Sequence, residues 1–150
     1  MSRSMKCNGA VVGAALLAVL LQAPAALALD SSPAAEVVVK PLASVMTTAA
    51  GQPITLPQKD VQVIVSSYDI PAGAKLPVHK HPFPRYAFVQ AGSLQVTNVV
   101  TGKSNSYAAG DFIVEMIDEW HRASNLGADP VKLLVIDQVE KGTNNTVLQN

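Results

Sequence analysis

His79, Lys80 and His81 place two imidazoles two residues apart, and His121 adds a third forty residues later; the chain holds no other histidine. Residues two apart point to one face of a β-strand, so the pair would present both rings to the same space. Neutral imidazole suits divalent transition metals such as iron, manganese, nickel, copper or zinc. Three such rings can form one face of a coordination sphere and leave positions open for water or substrate. The same three residues are also compatible with ordinary barrel positions whose ring nitrogens are satisfied by hydrogen bonds, so a metal-free pocket stays open.

The surrounding spacing is specific. Gly73 is followed after five residues by His79 and His81, after three more by Arg85, and after six more by Gly92. Farther on, Gly110 is followed after ten residues by His121 and after three more by Asn125. These two segments resemble the paired motifs of the cupin superfamily. In that family the position of Arg85 usually carries a glutamate ligand, and the positions of Met116 and Asp118 carry proline and glycine. The resemblance implies an all-β fold, a small antiparallel jelly-roll barrel (the double-stranded β-helix). It also implies that His79, His81 and His121 are the metal ligands.

Arg85 conflicts with a metal. Its guanidinium stays protonated and offers no lone pair. At about 5 Å from a divalent ion and an effective dielectric of about 20, the repulsion is on the order of 6 to 7 kcal/mol. Two arrangements relieve it. Either Arg85 pairs with a nearby carboxylate, for which Glu115, Asp118 and Glu119 are candidates, or it binds a small anionic molecule beside the metal. Both require an inward side chain, which strand alternation favours; a bulge at Pro82 and Pro84 would reverse that register.

These residues need short strands to position them. Stretches rich in β-branched or aromatic residues, separated by Gly, Pro and Asn, predict strands at 37–40, 54–56, 61–68, 86–90, 94–100, 112–116 and 131–139. The mature chain shows no sustained helical periodicity, and this pattern argues for a sandwich or barrel. Tyr86, Phe88, Phe83, Phe112, Met116 and Trp120 are expected in the core or pocket wall, with Trp120 opposed to its neighbour His121. Asn125 reads as a turn residue.

At 150 residues the chain is long enough for one domain with a real core. Its first 28 residues read as a secretory signal peptide. Arg3 and Lys6 precede an apolar run at 10–21, followed by the small residues Ala26 and Ala28, with a second cleavage option after Ala25. Twelve apolar residues are too few to span a bilayer, which takes about 20. The expected organisation is therefore a signal peptide at 1–28, a polar lead-in at 29–36 and a barrel at 37–150, in a periplasmic or secreted protein. Cleavage removes Cys7, the sole cysteine, so no disulfide is expected. It also leaves nine basic residues against 11 acidic ones. That balance, with no Lys/Arg cluster, excludes nucleic acid as a partner and stable membrane association after cleavage. The resemblance implies a homodimer through edge strands. The functional expectation is an exported cupin with a three-His pocket for a divalent transition metal and a small anionic ligand, performing oxygenase- or isomerase-type chemistry. The competing expectation is a metal-free binding protein without catalysis.

Overall fold

Alternation between the two faces of each strand dictates the architecture. In the segment Val131–Glu140, residues Val131, Leu133, Val135, Asp137 and Val139 are buried while the residues alternating with them face outward. In Arg85–Ala91, Ala87 and Val89 point inward and Tyr86 and Phe88 outward. Such period-2 burial requires a second sheet across the core.

The computed structural model describes residues 36–149, and among these there is no helix. Nine strands form in chain order: β1 (Val61–Ile70), β2 (His79–Lys80), β3 (Arg85–Ala91), β4 (Ser93–Asn98), β5 (Ser104–Ala108), β6 (Phe112–Val114), β7 (His121–Ser124), β8 (Val131–Glu140) and β9 (Val147–Leu148). They make a four-stranded sheet in the order β1-β8-β3-β6 and a five-stranded sheet in the order β5-β4-β7-β2-β9. All the strand pairings are antiparallel, giving the expected jelly-roll barrel. Leu94, Ile113, Met116, Val131 and Val135 are among the side chains of the core between the sheets.

Two predicted strands do not form. Residues 37–40 and 54–56 lie outside any strand and are largely exposed. Their apolar composition mimics a strand, but no partner edge pairs with them; between them lies only an isolated bridge of Thr47 with Pro53. The loop carrying that bridge instead docks on the chain after β6, where Ala49 N donates to Val114 O and the Gln52 side chain bonds both backbone groups of Ile117. The expected strands at 94–100 and 112–116 end earlier, at Asn98 and Val114. The aromatic expectation also needs correction. Tyr86 stacks on Phe112 on the outer face, with ring centroids 6.1 Å apart, and of the six side chains only Met116 is core.

Turn chemistry fixes the approach between strands. Gly92 has φ +77°, and a Cβ there would lie 2.7 Å from Pro130 O, so only glycine fits this tight bend. Asn125 is fully buried, donates to the carbonyls of Ile70, Pro71 and Asp129 and accepts from Gly127 N. It ties two turns together, the structural role expected for it. The proposed signal peptide and Cys7 lie outside the described residues.

Candidate metal centre

β2 lies between β7 and β9, and within it His79 is the direct cross-strand partner of His121. His81 follows two residues later on the same face. All three rings are buried, with centroids 4.5 to 4.9 Å apart, and their candidate ligand atoms lie within 4.8 Å of one another. Lys80, between the two histidines, points the other way and lies 5.1 Å over the ring of Trp120. Trp120 is therefore on the face opposite His121, as alternation requires.

Each imidazole is oriented by one backbone carbonyl. His79 Nδ1 bonds Pro77 O at 2.7 Å, His81 Nδ1 bonds Asn145 O at 2.6 Å, and His121 Nδ1 bonds Glu119 O at 2.8 Å. A carbonyl only accepts, so each Nδ1 carries the proton and each Nε2 is left with its lone pair. This is the tautomer that a metal takes, held by the carbonyl support typical of metal-ligating histidine. Burial lowers the pKa of all three rings. For His81, burial followed by the charge of Arg85 brings it to about 2. The cluster is thus neutral at physiological pH.

Arg85 points inward. The Pro-flanked bend between β2 and β3 preserves the register, and the side chain is buried. Its partner is none of the three expected carboxylates but Asp137, directly opposite on β8. Nε donates to Asp137 Oδ1 at 2.7 Å and Nη2 to Oδ2 at 3.0 Å, a bidentate pair. Burial alone would lower the arginine pKa, but the hydrogen bonds and charge of Asp137 raise it overall. Nη2 also reaches Thr146 Oγ1, and Nη1 lies 3.5 Å from His81 Nε2. Asp118 pairs with Lys80 at 2.6 Å, and Glu119 accepts from Asn98.

Three residues that sequence reasoning gave no role complete the centre. Asp137 occupies an inward position of β8 and neutralises Arg85. Asn145 is buried and links three parts of the site: its Oδ1 accepts from Phe83 N, its Nδ2 donates to Asp137 Oδ1, and its carbonyl holds His81. Tyr68 places its ring 5.9 Å from the Arg85 guanidinium carbon. Glu115, considered only as a partner for Arg85, lies in the pocket with Oε2 3.7 Å from His121 Nε2. Neither atom has a hydrogen-bond partner, although both are buried. Burial raises the Glu115 pKa.

The space enclosed by the histidines, Arg85, Glu115 and the apolar wall including Leu94 and Leu133 has a volume of about 20 Å³. That accommodates one water or one ion. The donor set fits a divalent transition metal: three imidazole Nε2 atoms and an adjacent carboxylate, of which His121 Nε2 and Glu115 Oε2 have no hydrogen-bond donor. Among the described residues, His79, His81 and His121 form the one such cluster of potential metal ligands.

Fold and cluster define a jelly-roll barrel with a three-His candidate metal centre. Residues 66–137 match the family described as Cupin domain. The structure is similar to the polyketide cyclase RemF from Streptomyces resistomycificus, with TM-score 0.50 and 17% identity over 59% of this chain. It is also similar to the DMSP lyase DddQ from Ruegeria pomeroyi, with TM-score 0.51 and 23% identity over 66% of this chain. The chain spans 62% of the first protein and 47% of the second, and at these identities the likeness concerns the fold alone. No curated protein sequence matches the chain.

Proposed function

We propose that this is an exported metal-binding cupin in which His79, His81 and His121 hold a divalent transition metal and a small anionic molecule occupies an open position beside it. The observation that carries the reading is the triple Nδ1-to-carbonyl orientation, which turns three neutral Nε2 atoms toward one small space, with Arg85 Nη1 near that of His81. When bound, the metal would act as a Lewis acid or redox centre for oxygenase- or isomerase-type chemistry.

The chain's own groups prepare the remaining position. Asp137 takes two donors of Arg85, which removes most of the repulsion that an isolated guanidinium would exert on a cation. Nη1 stays on the histidine side and supplies an N–H to an anion bound there. With a metal in place the space has no room for a second group, so an anion reaches the position beside it only when side chains move. Export rests on the basic and then apolar N-terminal sequence, and N-terminal sequencing of the protein recovered from a cell fraction tests it.

A second reading, a metal-free binding protein, draws on Arg85 Nη1. At 3.5 Å from His81 Nε2, this donor competes with a metal for the same lone pair. Elemental analysis after reconstitution separates the two. One equivalent of iron, manganese, nickel, copper or zinc per chain, lost in His79→Ala and His121→Ala, supports the metal reading. A wild-type protein that takes up none of these metals overturns it.

A further inference from the structure

Glu115 Oε2 and His121 Nε2 are the buried side-chain polar atoms without a hydrogen-bond partner among the described residues, and they face each other at 3.7 Å. His121 Nδ1 bonds the Glu119 carbonyl, so Nε2 presents a lone pair. A carboxylate oxygen also presents lone pairs. Two acceptors pointed at each other in a space with room for a single ion repel unless a cation lies between them. A shared proton fits poorly, because hydrogen bonds of this kind close to about 2.7 to 3.2 Å. A shared metal fits well: bonds of about 2.1 Å at tetrahedral to trigonal angles separate two ligand atoms by about 3.4 to 3.6 Å.

We propose that Glu115 is the fourth protein ligand of the metal, delivering from the end of β6 the negative charge that Arg85 displaces from β3. This assignment rests on the metal reading given above. The backbone carrying Glu115 is held on both sides, which orients the carboxylate before any ion arrives. Glu115 N donates to Arg85 O, Val114 O accepts from Ala49 N, and the Gln52 side chain fixes Ile117. Asp137 does not compete for the role, since its oxygens already accept from Arg85 and Asn145.

The test loads the full chain with Co(II) and locates the ion by anomalous diffraction in the wild-type crystal. The expected Glu115 oxygen-to-cobalt distance is about 2.1 Å. An ion held by the three histidines with the carboxylate more than about 3.5 Å away, beyond any metal–oxygen bond, overturns the Glu115 assignment and leaves the metal reading intact. No ion at the histidines overturns both. In parallel, Zn(II) affinity is measured by chelator competition for Glu115→Gln. A loss of about 100-fold or more is expected, at or above the roughly 10- to 100-fold cost of losing a group outside the coordination sphere. Unchanged zinc affinity in Glu115→Gln likewise overturns the assignment.

Discussion

One buried carboxylate, Glu115, lines the pocket and another, Asp137, pairs with the pocket's arginine, and the two are treated in opposite ways. Asp137 accepts two hydrogen bonds from Arg85 and one from Asn145, so its charge is balanced within the protein. Glu115 keeps one oxygen unpartnered opposite an equally unpartnered imidazole nitrogen. A satisfied ion pair locks two strands together, here β3 to β8 at matched register. An unsatisfied pair of acceptors costs stability and is retained where a ligand supplies what is missing. The wall formed by β3 and β8 is therefore structural, and on the proposed metal reading the side carrying Glu115 and His121 is where a cation would bind.

Breaking the satisfied pair gives the largest effect. Arg85→Met leaves Asp137 buried without its counter-ion and should lower stability to urea by about 3 to 5 kcal/mol. Adding Asp137→Leu should return most of that loss, because the second buried charge is then gone as well. A cost below about 1 kcal/mol for the single variant would place the pair in the weakly coupled, surface-like class and remove the contrast.

The orphan side should respond in the opposite sense. In metal-stripped protein, Glu115→Gln should be as stable as wild type or up to about 2 kcal/mol more stable, since the amide can donate to His121 Nε2 and ends the facing of two acceptors. A large destabilisation of the stripped protein would show instead that Glu115 holds the fold together.

Acidification sharpens the same comparison. The three histidines have folded pKa values below their ordinary 6.5, so the unfolded chain binds more protons at pH below 6.5, and stability present above that pH is lost as pH falls. Glu115 works the other way. Its raised pKa means that stability is lost as pH rises from its ordinary 4.5 through its folded value. Between pH 6.5 and 4.5 three groups oppose one. In Glu115→Gln, where the opposing carboxylic acid is gone, urea titrations of the stripped protein at pH 7.5 and 5.5 should show a loss on the order of 1 kcal/mol at the lower pH from His81 alone. A gain would mean that the histidines are not held neutral by burial.

The smallest effect belongs to Asp118. It stands where related motifs carry glycine and has φ +57°, a region that Asp tolerates. Asp118→Gly relieves that backbone strain while removing an exposed ion pair with Lys80, and the two changes should cancel to within about 0.5 kcal/mol by thermal denaturation.

Much of this was readable from residue spacing. The histidine cluster, the barrel and the inward Arg85 all follow from period-2 alternation and the paired motifs. Asp137 carried the same signal, because it interrupts the inward series Val131, Leu133, Val135 and Val139 with a charge, directly across from the arginine that needs one. Glu115 likewise shares parity with Ile113. Asn145 carried none, since its role depends on the C-terminal segment folding back along β2. The short strands β2, β7 and β9 exist only through pairing, and β5, Ser104–Ala108, hides its strand character in Ser and Asn. Residues 37–40 show the reverse error, with high β-propensity and no partner to satisfy it.

The most direct test of the central claim, that the orphan pair awaits a cation, is the unfolding temperature of the stripped wild-type protein with and without excess zinc. Saturation at about 1,000 times the dissociation constant adds about 4 kcal/mol of stability, which for a chain of this size raises the midpoint by about 10 °C or more. An unchanged midpoint would contradict the account.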